Sequence, residues 1–186
     1  MKSLILIVGL LFAQSLLADQ FDGSVVNGRT RKYIYISKEN RKYLLSGATP
    51  IISTYLTKLS EGDFLSIDAT VNPSKTTMTV RSINYVGLRK LLGNWVGDDD
   101  RCYNFVTHTD FIVSKKFGVV CLDTMRTDYT YLINPNTDLW TMLVAGQYGS
   151  FIGDVNIIDD RNVQIDLYNS QTGEVERRLK LNRAPF

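Results

Sequence analysis

Short runs of β-branched and aromatic residues, each ended by a cluster of turn residues, fill the second half of this 186-residue chain. Within a run such as 163–168, Val163, Ile165 and Leu167 alternate with more polar residues, as in a half-buried strand. The turn clusters are residues 134–138, 146–149, 159–162 and 170–173. The runs are residues 102–107, 117–122, 129–133, 140–145, 151–158, 163–168 and 175–181. Short strands joined by tight turns favour an up-and-down antiparallel β-barrel.

A Gly-x-Trp motif occupies residues 93–95, at the entrance to these runs, and aromatic residues follow it at Tyr103 and Phe105. With this motif, residues 91–183 resemble the lipocalin and avidin type of β-barrel, in which Gly-x-Trp opens the first strand. The resemblance implies that Trp95 closes the floor of the barrel. The region is shorter than a typical lipocalin. It is therefore more similar to the small secreted inhibitors of bacterial proteases, which are reduced barrels of similar layout.

Cys102 and Cys121 are the only cysteines in the sequence. An oxidising compartment would join such a pair in a disulfide. The similarity to the protease inhibitors implies the same pairing, because those proteins carry one disulfide near their first strands. Closing a loop of about 20 residues would stabilise the fold by about 3 kcal/mol, mainly by restricting the unfolded chain.

Residues 21–90 follow a different pattern. Three strands, a short helix after Pro50 and two final strands are expected, and this is the order of elements in the OB-fold. The N-terminal half therefore resembles that small five-stranded barrel. The expected fold is mainly β: an OB-like barrel with one short helix, followed by a lipocalin-like up-and-down antiparallel β-barrel. The located strands are 30–36, 42–46, 64–71 and 77–86, and the helix contains Ile51, Ile52, Tyr55, Leu56 and Leu59.

Residues 1–18 have the layout of a secretory signal peptide: a lysine, an apolar run and the small residue Ala18. The run is shorter than the ~20 apolar residues that span a bilayer, and no second run approaches that length. Asp19 follows the expected cleavage point, so no cysteine is placed there for lipid attachment. The mature protein is expected to be periplasmic or secreted, with no integral membrane span.

The net charge changes sign along the mature chain. Residues 19–90 carry 11 basic and 6 acidic residues, whereas residues 91–186 carry 9 basic and 13 acidic residues. This asymmetry predicts two domains with different surfaces, an OB-like domain (19–90) and a lipocalin-like domain (91–186), which meet near residues 88–92.

The residues needed for most enzymatic chemistry are missing. His108 is the only histidine, and the sequence of residues 107–110 is typical of an exposed hairpin turn. No Gly-x-Ser-x-Gly elbow, glycine-rich phosphate loop or His-Glu-x-x-His helix occurs. We therefore expect a protein that is not an enzyme and binds no cofactor. A glycosidase-type pair of carboxylates from distant strands leaves no local pattern and stays an alternative.

Three groups of residues are candidates for binding. Residues 98–100 are consecutive aspartates that could bind calcium, but consecutive residues of an extended chain point in different directions, so a solvated loop without metal is expected. Aromatic residues of the barrel could line a ligand cavity or fill the core. Basic residues interleaved with tyrosines near the first hairpin could hold an anionic partner or form a solvated face. The aromatic candidates are Trp95, Tyr103, Phe105, Tyr129, Tyr131 and Trp140. The basic candidates are Arg29, Arg31, Lys32, Lys38, Arg41 and Lys42.

Two functions follow from these candidates. The first is an exported, non-enzymatic binding protein whose barrel binds a small apolar ligand or a protein partner, such as a secreted hydrolase that it inhibits. The second is an envelope adaptor that binds an anionic envelope polymer through the basic N-terminal half. Nucleic acid is not an expected partner, because export separates the protein from it.

Overall fold

The first half of the chain forms a closed barrel of five strands with one α-helix. The computed structural model describes residues 18–118, 120–136, 139–169 and 172–184. The elements of this barrel are β1 (Asp19–Asn27), β2 (Lys32–Ile36), β3 (Arg41–Gly47), α1 (Pro50–Lys58), β4 (Phe64–Val71) and β5 (Thr77–Gly87). The strands pair in the order β1-β2-β3-β5-β4, and β1 closes the barrel by pairing with β4. Neighbouring strands are antiparallel except β3 and β5, which are parallel. The expected five-stranded barrel is confirmed, although the sequence patterns did not locate β1.

Local chemistry fixes the two ends of α1. Thr49 precedes the helix in an extended conformation, and its Oγ1 accepts a hydrogen bond from the backbone N–H of Ile52 at 3.3 Å. Pro50 takes the first helical position, where its missing N–H has no cost. The helix buries Leu56 against the barrel and ends at Lys58, after which Leu59 returns to extended backbone.

A buried carboxylate connects the first barrel to the chain that leaves it. Asp63 lies just before β4 and accepts hydrogen bonds from the backbone N–H groups of Ser60 (2.6 Å) and Arg89 (2.9 Å). Burial raises the pKa of Asp63, and these two hydrogen bonds act in the opposite direction. Arg89 begins the short 3-10 helix Arg89–Leu91, which lies between the two barrels along the chain.

The second half forms a closed barrel of eight antiparallel strands. Its strands are β6 (Gly93–Gly97), β7 (Arg101–Phe105), β8 (Asp110–Phe117), β9 (Val120–Pro135), β10 (Trp140–Gly146), β11 (Gly149–Ile157), β12 (Asn162–Tyr168) and β13 (Val175–Arg183). Each strand pairs with the next along the chain, and β13 pairs with β6 to close the barrel. The expected up-and-down barrel is confirmed. The strand expected at 117–122 is wrong, because those residues contain the turn between β8 and β9.

The disulfide predicted between Cys102 and Cys121 is confirmed, and it joins β7 to β9 with Cα atoms 5.9 Å apart. Ser114 pairs with Arg126, whereas the next residue of β8 pairs with Leu122, so β9 bulges out between these two positions. The disulfide therefore lies beside the irregular part of the barrel wall.

The two barrels pack against each other through one continuous group of buried apolar residues. Leu88 and Leu91, on the connection between the barrels, are almost completely buried and belong to this group. The hydroxyl of Tyr85 on β5 donates a hydrogen bond to the carbonyl of His108, in the turn between β7 and β8. Among the described residues, no helix is long and apolar enough to cross a membrane. The expected signal peptide lies, apart from Ala18, outside the described residues.

Candidate ligand-binding site

The interior of the second barrel is closed at the end where β6 begins. Trp95 is fully buried there, and its indole Nε1 donates a hydrogen bond to the carbonyl of Leu91 at 2.7 Å. The guanidinium of Arg183, near the end of β13, lies 4.4 Å from the centre of the Trp95 ring. The implied position of Trp95 at the barrel floor therefore agrees with its location.

Arg183 holds the floor together from outside. Its guanidinium donates to the carbonyls of Lys90 (2.7 Å), Leu92 (3.2 Å) and Asp160 (2.9 Å). These carbonyls belong to the connection between the barrels and to the turn between β11 and β12. This one side chain thus links β13 to two other parts of the chain at the closed end, and the sequence offered no local pattern that identified it.

Four aromatic side chains form a layer above this floor. The rings of Phe105 and Phe111 stack with their centres 5.0 Å apart, and Phe111 stacks on Tyr129 at 5.1 Å. Tyr131 meets Phe105 edge-on at 5.4 Å and donates its hydroxyl proton to the carbonyl of Thr107 at 2.9 Å. Burial raises the pKa of Tyr131, so this hydroxyl stays protonated and remains a donor.

A cavity of about 180 Å³ lies between this aromatic layer and the opposite end of the barrel. Its walls are mainly apolar: Tyr103, Phe105, Phe111, Val113, Tyr129, Met142, Val144, Phe151, Ile165, Leu167 and Leu179. Three charged residues also line it: Arg101, Glu176 and Arg177. An apolar cavity of about 150 Å³ is large enough to hold benzene, so this one has room for a molecule of one ring or a short alkyl chain.

The mouth of the cavity is organised by Asp99, in the turn between β6 and β7. Its Oδ2 accepts a hydrogen bond from the Tyr103 hydroxyl at 2.7 Å and one from Arg177 Nη2 at 2.5 Å. The Nε of Arg101 lies 3.7 Å from the same oxygen. Burial and the bond to Asp99 raise the pKa of Tyr103, which keeps this hydroxyl protonated as a donor.

The six aromatic residues proposed from the sequence all belong to the barrel, but they divide into two groups. Tyr103, Phe105 and Tyr129 line the cavity. Trp95, Tyr131 and Trp140 are buried toward the closed end and do not line it. Whether any of them binds a ligand stays a prediction.

Several cavity residues were missed by the sequence analysis. Met142 and Val144 alternate with Trp140 in a run that was recognised as a strand, so extending the alternation would have found them. Ile165 likewise lies in a recognised alternating run. Phe111 lies on β8, which the sequence analysis did not identify, so no pattern indicated its role.

The three consecutive aspartates have different surroundings. Asp98 is exposed, and its Oδ1 accepts a hydrogen bond from the backbone N–H of Lys180 at 3.1 Å. Asp99 turns toward the barrel mouth, whereas Asp100 is exposed with a left-handed φ of 57°. Over the described part of the chain, no group of three or more His, Cys, Asp and Glu side chains could hold a metal ion.

The basic candidates of the first barrel lie at the two ends of β2. Arg29, Arg31 and Lys32 line a groove of about 580 Å³ between the β1–β2 loop, the end of β3 and α1. The other three, Lys38, Arg41 and Lys42, lie around the turn between β2 and β3. A five-residue strand rises about 3.3 Å per residue, so the two groups are roughly 15 Å apart.

The interleaved tyrosines do not form one exposed face with these basic residues. Tyr43 points into the first barrel, where it is buried, and its hydroxyl donates to Glu39. Tyr33 and Tyr35 are half-buried on the outer surface, and the Tyr35 hydroxyl donates to Asn40 at 2.9 Å. The three tyrosines therefore do not form one platform on which the rings of a ligand could stack.

His108 lies in the expected hairpin turn, but the expectation that it is exposed is wrong. Its ring packs against Gly87 and stacks on Phe64 with the ring centres 6.1 Å apart, so it is half-buried between the two barrels. Its Nδ1 is buried without a hydrogen-bond partner. Burial lowers the pKa of His108, so the neutral imidazole is favoured.

Comparison of the chain with protein-family models, with curated proteins and with solved structures found no match in any of the three. Function is therefore inferred from the shape and chemistry of the cavity and the groove.

Proposed function

We propose that this chain is an exported, non-enzymatic binding protein whose eight-stranded barrel holds a small apolar ligand. The observation that carries the proposal is the cavity of about 180 Å³, which is walled mainly by apolar side chains. Ligand sites in proteins are concave and lined mainly by apolar side chains, and this space in the barrel has that character. Phe151, at the start of β11, lines this cavity and is partly exposed, so the cavity is reachable from solvent.

Export is supported by two independent features. Residues 1–18 have the layout of a signal peptide, and the disulfide between Cys102 and Cys121 is of the kind that persists in oxidising compartments. A non-enzymatic role is supported by the side chains themselves. Both thiols are joined to each other, and the imidazole of His108 is packed between the barrels, away from the cavity lining.

A cavity-filling substitution tests the proposal. Val144 faces the cavity, whereas Leu143, its neighbour on β10, is exposed on the outer surface. Toluene added to the isotope-labelled protein should give saturable NMR shifts in the wild type and in the matched control Leu143→Phe. Val144→Phe should abolish them, because the added ring occupies the ligand's space.

Two results would refute the proposal. One is a wild-type protein that binds neither toluene nor longer alkylbenzenes. The other is binding that is unchanged when the cavity is filled. If Val144→Phe does not fold, as judged by circular dichroism, Ile165→Phe fills the same cavity from β12 and replaces it in the test.

A second candidate function is the binding of an anionic envelope polymer by the first barrel. The groove between the β1–β2 loop and α1 combines Arg29, Arg31 and Lys32 with the hydroxyl-bearing residues Ser53 and Thr57, and none of its lining residues, all in the described part of the chain, is acidic. Binding to immobilised dextran sulfate at increasing salt measures this charge.

The chain contains its own control for that measurement. Replacing Arg29, Arg31 and Lys32 by glutamine should elute the protein at clearly lower salt. Replacing Lys38, Arg41 and Lys42 removes the same charge from the other end of β2 and should have a smaller effect. Equal effects would show non-specific attraction rather than a binding groove.

A further inference from the structure

The charged side chains at the cavity mouth differ in their exposure to solvent and in their capacity to bind a ligand. Asp99 has only 10% of its side chain exposed, whereas the side chains of Arg101 and Arg177 are 53% and 42% exposed. Asp99 Oδ2 already accepts two hydrogen bonds, and Oδ1 is buried without a partner. The carboxylate is therefore closed to an incoming ligand, while the two guanidinium groups are open to one.

The buried carboxylate also fixes where the arginines stand. A Cβ atom added to Gly97, on β6, would lie only 2.3 Å from Asp99 Oδ1. The carboxylate therefore occupies the space that the side chain of a larger residue would fill. From this position Asp99 holds Arg177, on β13, and attracts Arg101, on β7. The two guanidinium groups are thereby kept at the edge of an apolar cavity that both of them line.

At the cavity mouth, the N–H groups of Arg101 and Arg177 that are not hydrogen-bonded to Asp99 outnumber the acceptor atoms of Glu176. A guanidinium has five N–H groups in a planar fork that matches a carboxylate, and only one N–H of Arg177 is engaged in a short hydrogen bond with Asp99. Arg101 contacts Asp99 at 3.7 Å, which is an ion pair rather than a hydrogen bond. Glu176 is the opposing group: it lines the cavity, is exposed, and is the extra residue of the bulge in β13.

We propose that the cavity selects an apolar molecule bearing one carboxylate, with the apolar body inside the barrel and the carboxylate bound by Arg101 and Arg177 at the mouth. This inference rests on the proposed function of the cavity and adds the chemical class of its ligand. The size of the cavity limits the body to one ring or a short alkyl chain.

Three probes with one apolar body test the inference in the full mature protein. Phenylacetate carries the carboxylate, phenylacetamide is its neutral isostere, and 2-phenylethylamine carries the opposite charge. Isothermal titration should rank phenylacetate first, about tenfold tighter than the amide, since one good hydrogen-bonded charge pair at a partly exposed site corresponds to about that factor. Arg101→Gln should remove most of this preference and leave affinity for the amide within about twofold.

Two further variants test whether the preference comes from recognition of the ligand's carboxylate at the cavity mouth. Arg126→Gln removes an exposed arginine of β9 that pairs with Asp128 and does not line the cavity, so it should leave the preference unchanged. Glu176→Gln should tighten phenylacetate and not phenylacetamide, because it removes the exposed carboxylate that lines the same cavity as the two arginines.

The outcomes are distinguishable. Equal affinity for phenylacetate and phenylacetamide would overturn the inference and leave the cavity's proposed function standing. Tighter binding of 2-phenylethylamine would also overturn it, since Glu176 would then govern the mouth. If no probe binds, nor any alkylbenzene, the proposed function itself fails and the inference falls with it.

Discussion

The closed end of the second barrel should respond strongly to Trp95→Phe. The substitution leaves the carbonyl of Leu91 buried without the indole donor now 2.7 Å away, which costs about 1–3 kcal/mol. It also opens roughly 40 Å³ in the core, worth about 1 kcal/mol at about 24 cal/mol per Å³. Weakening the stack under Arg183 costs about 0.5 kcal/mol more, since phenylalanine is a poorer cation–π partner than tryptophan. The free energy of unfolding should therefore fall by about 3 kcal/mol.

Urea unfolding followed by far-UV circular dichroism, with the disulfide intact, measures this loss. For an m-value of about 2 kcal/mol/M, the midpoint should move down by about 1.5 M. Trp140→Phe is the matched control, because it removes the same volume from another buried tryptophan and leaves the Leu91 hydrogen bond and the Arg183 stack in place. It should cost about 1 kcal/mol. Equal costs for the two variants would refute the assignment of Trp95 and Arg183 as the barrel's closing pair.

Four further outcomes are expected. Replacing Cys102 and Cys121 with serine should lower the free energy of unfolding by about 3 kcal/mol, measured by urea titration, because the unfolded chain regains a loop of about 20 residues. Burial lowers the pKa of His108 from its ordinary 6.5, so the native state binds fewer protons than the unfolded state below that pH. Stability should then fall as the pH drops from 7 toward 5, and His108→Gln should flatten this dependence in thermal melts. Asp99→Asn should loosen the mouth, seen as faster hydrogen exchange of β13, and should leave the secondary structure intact by circular dichroism. Residues 91–186, expressed alone with oxidant, should fold cooperatively, since β13 and β6 close that barrel; a chain that stays unfolded would contradict the prediction of two domains.

Much of the fold could be predicted because its signals are local. The turn clusters and alternating runs correctly indicated most strands of the second barrel, and Pro50 with its following apolar spacing located α1. The prediction failed at β8 and at the start of β9. There, Lys115 and Lys116 interrupt the apolar alternation, and the bulge between Ser114 and Lys115 breaks the period of two on which strand recognition depends.

The candidate site could be predicted only in part. Aromatic residues at alternating positions indicated an aromatic interior, but alternation does not tell how deep in the barrel a residue lies. Tyr129 lines the cavity and Tyr131 does not, although they share one strand and one face. The charged mouth left no pattern, because Asp99 and Arg177 are 78 residues apart in the sequence.

The sequence by itself determined what depends on neighbouring residues: where most of the strands and turns fall, which side chains of those strands face inward, and that the two cysteines would pair. Each of these follows from the backbone's period of two, from turn chemistry or from the cysteine count. Only the tertiary structure decided which distant side chains meet when the second barrel closes. Pairing of β13 with β6 places Arg183 over Trp95 at one end and Arg177 beside Asp99 at the other. Strand register across a closed barrel is set by hydrogen bonds between residues far apart in the chain, and that register determines which side chains surround the remaining cavity.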